Sequence, residues 1–180
     1  MRNVYEQNQT GVNLFAGLDA AGVGGAAVGG NGNSIAFTSI EDGIFDNLET
    51  DNLGRLGAGV LAAAGVRTSA SAPPSSDNQL ILQFVHTSWS GNFQGESRRD
   101  LVVYGAVALG GSVGTNNTAR VLIRKASSDG AADAFQFIDS QPSDATDTNR
   151  VTIVGSDVAI THANTGIDPL PEWHFANDID

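Results

Sequence analysis

The chain has 180 residues and no cysteine, which excludes disulfides, thiolate metal sites and cysteine nucleophiles. Twenty acidic residues against nine basic ones give a formal charge of −11, and a field of that sign repels phosphate backbones and anionic lipid. The N-terminal residues lack the continuous apolar segment of a signal peptide or a membrane span. We therefore expect one soluble, unprocessed domain that binds neither nucleic acid nor membrane.

Glycine, with runs of Ser, Thr, Asn and Asp, divides the chain into short apolar segments separated by turns. This punctuation predicts a mainly β fold, a single β-sandwich or jelly-roll-like domain spanning residues 34–162. Residues 1–33 form a Gly-rich N-terminal arm in this prediction, and residues 163–180 form a C-terminal arm. The expected strands are 34–40, 79–88, 100–109, 118–125, 134–139, 150–154 and 157–161.

One short helix is expected near the start of the body. Ile40, Ile44 and Leu48 recur at helical spacing after Ser39, with an acid three residues beyond that serine, which predicts a helix over 40–49. The segment 53–64 has apolar residues on one helical face but several opposing glycines, so helix and strand both stay open for it.

The two clearest strands come from the middle of the chain. Residues 79–88 alternate apolar and polar side chains, and residues 101–109 are apolar throughout, so both should anchor the core. Near the end, Gly155-Ser156 lies between two apolar runs. We interpret it as a tight hairpin, with one long bulged strand as the alternative.

No pattern in the chain predicts a catalytic, cofactor-binding or metal-binding residue. The glycines from Gly22 onward superficially match a dinucleotide fingerprint, but the Gly/Asn run that follows cannot open the required helix. The histidines are too far apart in sequence for a zinc pair, and a spatial triad that includes His86 stays open. A calcium-binding loop at Asp144 and Asp147 also stays open. We expect a protein that is not an enzyme.

Two aromatic segments are candidate partner interfaces, because aromatic residues and arginine are enriched where proteins bind each other. The first consists of Trp89, Phe93, Arg98 and Arg99 in a polar loop, where Trp89 could equally close the end of a sandwich or stack on a sugar. The second consists of Trp173, His174 and Phe175 on a proline-bounded arm. These large side chains should bury against the body or a neighbouring subunit.

The small-residue β pattern, the loops GGNGNS and GGSVGTNN and the arm PLPEWHFANDID together resemble virion proteins of tailed bacteriophages. Capsid decoration (cement) or knob-like proteins are the nearest in character. The resemblance implies a structural protein that binds other capsid subunits through loops and arms, forms a homo-oligomer, with a trimer favoured, and resides in the virion after assembly in the host cytoplasm.

The alternative function is a carbohydrate- or ligand-binding β-sandwich of an adhesin. It would use Trp89 and Phe93 in an aromatic site at one end of the sandwich. A fold alone does not choose between these functions, since sandwiches host both.

Overall fold

The computed structural model describes residues 4–6, 12–18, 20–21, 27–45, 48–49, 59–68, 70–94, 97–108, 110–128, 134–142, 148–156, 158 and 161–162. Within these residues the chain forms eighteen strands: β1 (Val4–Glu6), β2 (Val12–Leu18), β3 (Ala20–Ala21), β4 (Ala27–Val28), β5 (Ser34–Ile40), β6 (Gly43–Phe45), β7 (Leu48–Glu49), β8 (Val60–Arg67), β9 (Gln79–Val85), β10 (Ser88–Ser90), β11 (Phe93–Gln94), β12 (Ser97–Arg98), β13 (Leu101–Ala108), β14 (Thr118–Arg124), β15 (Ser127–Ser128), β16 (Phe135–Gln141), β17 (Arg150–Ser156) and β18 (Thr161–His162).

Three parallel sheets contain most of these strands. Sheet 1 has the order β18-β16-β13-β8-β2, sheet 2 the order β17-β14-β9-β5, and sheet 3 the order β1-β6-β10-β15. Along most of its length the chain visits the three sheets in turn, so each circuit adds one strand to each sheet. This winding is a parallel β-solenoid, and we call each circuit a coil. Antiparallel pairing among the described strands is confined to β3 with β4 and β11 with β12.

The core fills the space that the three sheets enclose. On β9 the side chains of Leu80, Leu82 and Phe84 point inward and are at most 1% exposed, while the residues between them face outward. An aromatic stack continues inward from Phe84 to Trp89, at a ring-centroid distance of 5.2 Å, and from Trp89 to Phe135 at 5.4 Å. Burial of this interior is the main stabilising contribution to a solenoid of this kind.

A ladder of asparagine side chains forms the inner surface of the corner between sheets 1 and 2. It consists of one asparagine from each of four successive coils, namely Asn33, Asn78, Asn117 and Asn149. Each Nδ2 donates to the Oδ1 of the next asparagine, at 3.1, 2.9 and 2.9 Å, and each backbone N–H donates to the same Oδ1. The ladder therefore satisfies buried polar groups that a sharp corner would otherwise leave unpaired.

Small residues in sheet 1 make room for the ladder. A Cβ atom at Gly65 would lie 2.7 Å from the side chain of Asn117, closer than packing allows. Gly17 holds the same register position one strand away and would contact Asn78 in the same manner. These two glycines are needed for close approach, not for a turn.

The corner between sheets 2 and 3 is formed by residues in the left-handed region of backbone space. Glu41, His86 and Lys125 occupy it in successive coils with φ of 57°, 55° and 50°. An L-residue in this conformation costs about 1–2 kcal/mol, whereas glycine adopts it without a steric penalty. Because none of the three residues is glycine, we infer that the sheets on both sides of the corner impose this conformation.

Replacing His86 with glycine is expected to raise the free energy of unfolding by about 0.5–1 kcal/mol, because the left-handed strain outweighs the extra chain entropy of glycine. Urea denaturation followed by circular dichroism measures this change in the free energy of unfolding. Gln83→Gly is the matched control, since Gln83 is an exposed position in the extended strand β9 and glycine should destabilise there. A destabilised His86→Gly protein would contradict this account of the corner.

The prediction of a mainly β protein is confirmed, but the strands do not pair as those of a jelly roll. Jelly rolls consist of antiparallel strands, whereas all three main sheets here are parallel. The strand segments were recognised from alternating side chains, and alternation is the same for both kinds of pairing. The sequence of a single strand therefore does not predict which strand it pairs with or in which direction.

The helix predicted over 40–49 is wrong. Residues 34–40 are a strand, Glu41 turns the corner with a positive φ, and Gly43–Phe45 and Leu48–Glu49 are strands. Ile40 is 55% exposed and Ile44 is fully buried, so the two isoleucines do not share a face. The four-residue spacing of the two isoleucines spans a corner between two strands and does not belong to a helix. In the segment left open, 53–64, residues 60–64 belong to a strand and 53–58 lie outside the described residues.

The C-terminal hairpin is also wrong. Arg150–Ser156 is one strand of sheet 2 with a register shift, since Val121 pairs with Ile153 and Leu122 pairs with Gly155. Thr161–His162 pairs with β16 in sheet 1. The bulged-strand alternative describes this segment better, because Gly155 and Ser156 continue the pairing with β14 and Val154 is the extra residue of the bulge.

The terminal segments have different outcomes. Val12–Leu18 lies within the predicted N-terminal arm, yet it pairs with Val60–Arg67 in sheet 1, so strands of the body begin before residue 34. Residues 163–180, the predicted C-terminal arm, lie outside the described residues.

Candidate functional site

One end of the solenoid presents two edge strands. Val12–Leu18 is the last strand of sheet 1 and Ser34–Ile40 is the last strand of sheet 2 on the same side, within the part of the chain that the structure describes. We call the surface formed by these two strands the open end. A strand at a sheet edge carries unpaired N–H and C=O groups that can pair with another strand.

The backbone of β5 shows which groups are available. The carbonyl of Asn33 accepts from the N–H of Gln79, and the N–H of Glu41 donates to the carbonyl of Val85. Since bonding alternates residue by residue along a parallel strand, the odd-numbered residues bond to β9. The N–H and C=O groups of the even-numbered residues of Ser34–Ile40 therefore point away from the sheet, at the open end.

The core is also less covered here than elsewhere. The inward residues Ile35 and Phe37 of β5 are only partly buried, whereas Leu80 and Leu82 in the next coil are at most 1% exposed. At the opposite end of sheet 2 the inward residues of β17 are at most 3% exposed. The two ends of the solenoid thus differ, and the open end has apolar surface still to bury.

The asparagine ladder ends at the same place. The Oδ1 of each later ladder asparagine accepts two hydrogen bonds from the coil before it. Asn33 donates through both its backbone N–H and its Nδ2, but its own Oδ1 has no hydrogen-bond donor among the described residues, and Asn33 is exposed. The first rung therefore has an unused acceptor facing the position of a further strand.

Both edge strands are uncharged, in a chain with twenty-nine charged residues. Soluble proteins commonly protect their edge strands with lysine, proline or an inward-pointing charge, and neither Val12–Leu18 nor Ser34–Ile40 has any of these. Ile40 at 55% and Leu18 at 48% are the large apolar side chains with substantial exposure among the described residues, and each ends one of the two strands. The open end is therefore an uncharged edge with exposed apolar side chains.

Trp89, a predicted interface residue, lies inside the protein. It is 2% exposed and packs between Phe84 and Phe135, and its indole Nε1 has no hydrogen-bond partner among the described residues. The interface prediction for this residue arose because a tryptophan next to polar residues fits a loop and a tight corner equally well. The structure places Trp89 in the interior, where it neither closes the end of a sandwich nor presents its ring at the surface.

The structure describes the other predicted interface residues only in part. Phe93 pairs with Arg98 in a short antiparallel ladder, and their side chains lie outside the described part of the structure. Arg99 is partly exposed and forms interactions within the chain. Trp173, His174 and Phe175 lie outside the described residues. The structure therefore places Trp89 and Arg99, and the interface prediction for the other five residues stays a prediction.

Sequence reasoning also missed a second apolar cluster, on the outer face of sheet 1. It includes Leu61, Val102, Tyr104 and Ile138, each at most 7% exposed. Burial raises the pKa of the Tyr104 hydroxyl above its ordinary value, and the nearby Arg99 partly opposes this by favouring the charged form. The continuous apolar character of 101–109 was the available signal, since a strand apolar on both sides is covered on both faces.

Clusters of side chains suited to a metal ion do not occur among the described residues, and neither does a helix long and apolar enough to cross a membrane. Buried Asp100 accepts hydrogen bonds from Asn92 Nδ2 at 2.8 Å and from Ser128 Oγ at 2.5 Å. This network ties together a corner of the solenoid. Comparison with known proteins identified no matching family model, curated protein or solved structure.

Proposed function

We propose that this chain is a non-enzymatic structural protein that assembles through the open end, where β5 pairs with β5 of a second copy about a two-fold axis. The observation that carries the proposal is the uncharged edge strand Ser34–Ile40, whose outward backbone groups pair with no described strand and whose inward side chains are partly exposed. Antiparallel pairing of two such strands would satisfy the free N–H and C=O groups of both copies.

A second copy suits this surface better than an unrelated partner for an electrostatic reason. Two chains that each carry a net charge of −11 repel one another over most approaches. The open end is a place where both can meet without bringing like charges together, because both edge strands are neutral. A two-fold interface is self-complementary, so one neutral surface is sufficient for both partners.

The virion setting implied by the sequence character is part of this proposal. A protein of a shell or its decoration needs stable contacts and no catalytic groups, and edge-strand pairing supplies such contacts with little extra folded mass. A two-fold pair gives a dimer, so the trimer that the resemblance implies would need a further contact surface.

The test compares the solution mass of the wild-type protein with that of Ala36→Pro/Thr38→Lys by light scattering. Both positions lie on β5 where the backbone groups point away from β9, so proline removes no hydrogen bond between β5 and β9. Lysine at an edge blocks pairing of like strands. We expect the wild-type protein to be a dimer and the double variant to be a monomer with unchanged circular dichroism.

Gln83→Lys is the matched control. Gln83 is the register partner of Thr38, is exposed on the same face, and lies one strand inside the edge. It adds the same charge to the same face, so it should leave the dimer intact if the edge is the interface. A monomeric wild-type protein, or equal dissociation by the control, would overturn the proposal.

A further inference from the structure

The outer face of sheet 2 has a charge opposite to that of the whole protein. Outward-facing positions on β5, β9, β14 and β17 comprise Ser34, Ala36, Thr38, Ile40, Gln79, Ile81, Gln83, Val85, Thr118, Arg120, Leu122, Arg124, Arg150, Thr152, Val154 and Ser156. Three of these are arginines and none is acidic, although acidic residues outnumber basic ones by twenty to nine in the chain. Clustering of this kind gives the face a local attraction for anions.

A shallow groove of about 210 Å³ lies in the middle of this face. Its lining includes the outward-facing aliphatic side chains of Ile81, Leu122 and Val154 and the polar side chains of Gln83 and Arg120. The bulge in β17 creates part of this space, because Val154 is skipped in the register between β14 and β17. The groove thus combines aliphatic side chains with an amide and a guanidinium.

Arg120 is the charged group best placed to bind a ligand. It is exposed, it projects from the central part of the face, and it lines the groove directly. A guanidinium binds a carboxylate through two parallel hydrogen bonds, which gives both charge and geometric selectivity. Arg124 and Arg150 flank it on the same face, four residues along β14 and on the neighbouring strand β17.

We propose that this groove binds a carboxylate-bearing oligosaccharide, with a sugar carboxylate on Arg120 and the ring of that sugar over Ile81 and Leu122. The hydroxyl groups of neighbouring sugars would be matched by the amide of Gln83 and by the hydroxyls of Thr118 and Thr152, which are uncharged groups that both donate and accept. An open, shallow face suits an extended chain of sugars.

Two other anionic ligand classes fit the face less well. A single-stranded nucleic acid gains much of its affinity from stacking of its bases on aromatic side chains, and none of the residues that line the groove is aromatic. An acidic peptide would gain most from deep apolar pockets for its side chains, and this groove is shallow. A carbohydrate needs neither base stacking nor a deep pocket.

The experiment titrates trigalacturonic acid into the labelled full chain and follows amide chemical shifts by NMR. We expect saturable shifts for residues of the groove at millimolar ligand, a weakening by about tenfold in Arg120→Gln, and an intermediate weakening in Arg120→Lys, which keeps the charge but loses the bidentate geometry. The methyl-esterified trisaccharide, which lacks the carboxylates, should not bind.

Lys125→Gln is the matched control, because it removes one positive charge at an exposed corner outside the groove and should change the affinity by less than about twofold. Absence of groove shifts in the folded wild-type protein would overturn the proposal, as would equal binding by Arg120→Gln. Tighter binding of a thymidine trinucleotide or of triglutamate than of trigalacturonic acid would also overturn it, in favour of those classes.

This inference is independent of the assembly proposal. Arg120 lies on β14, two strands from the edge strand β5, so Arg120→Gln should leave the solution mass unchanged. The edge variant Ala36→Pro/Thr38→Lys keeps every residue that lines the groove and should still bind the trisaccharide. The two proposals can therefore fail separately.

Discussion

Replacing Asn117 with alanine is expected to lower the free energy of unfolding by about 3–4 kcal/mol. Its Oδ1 accepts from the backbone N–H and the Nδ2 of Asn78, and its Nδ2 donates to Ser75 and Asn149. Alanine leaves the N–H of Asn78 and the carbonyl of Ser75 buried without these partners. Urea denaturation, with the midpoint and slope compared with wild type, measures the effect.

Asn33→Ala is the control for the ladder, because it removes the same side chain at the corresponding position of the first coil. Asn33 is exposed, and its side chain donates a single 3.1 Å hydrogen bond to Asn78. We expect a loss of at most about 1 kcal/mol. Equal losses for the two variants would show that the ladder does not stabilise the corner through its buried hydrogen bonds.

Replacing Trp89 with alanine is expected to cost about 3–5 kcal/mol, since it removes a fully enclosed side chain from the centre of the aromatic stack. Thermal and urea denaturation measure the loss. This result would identify Trp89 as a core residue. If Trp89 were instead an interface residue, as the sequence suggested, its truncation would leave the stability of the isolated protein nearly unchanged.

Trp89→Phe separates packing from polarity at the same site. Phenylalanine keeps an aromatic ring between Phe84 and Phe135, and it removes an indole N–H that has no partner among the described residues. The smaller ring leaves some empty volume, while loss of the unpaired N–H is favourable, so we expect a net cost of about 1 kcal/mol or less. A cost equal to that of alanine would contradict this division.

Several strands could be predicted from the sequence because their signal is local. The alternation in residues 79–88 follows from one face packing on the core, and it correctly identified β9. The continuous apolar run of 101–109 correctly identified a central strand. The helix over 40–49 failed because the sharp corner at Glu41 separates two isoleucines that only coincidentally match helical spacing.

The solenoid needed a comparison of the chain with itself. Asn33, Asn78, Asn117 and Asn149 each precede a strand with alternating apolar residues, and they are separated by 45, 39 and 32 residues. This unequal spacing hides the repeat, because the loops of each coil differ in length while the four strands of sheet 2 have seven residues each. An asparagine directly before each alternating strand was the available signal.

The open end could not be predicted from the sequence. Assembly was expected from aromatic residues such as Trp89, which the structure places in the core. The open end depends instead on strand order, which decides that Ser34–Ile40 is an edge and that Gln79–Val85 is not. Absence of charge in a strand acquires meaning only when that strand is known to lie at an edge.

Amide hydrogen exchange of Ser34–Ile40 at high and low protein concentration tests the assembly account most directly, because it reports on the proposed interface itself. The account predicts that the amides of Ala36, Thr38 and Ile40, which point away from β9, are protected at high concentration and lose that protection on dilution. The amide of Phe37, an odd-numbered residue that bonds to β9, and the amide of Leu82, within β9, should stay protected at both concentrations. Fast exchange of Ala36, Thr38 and Ile40 at every concentration would contradict pairing through this edge.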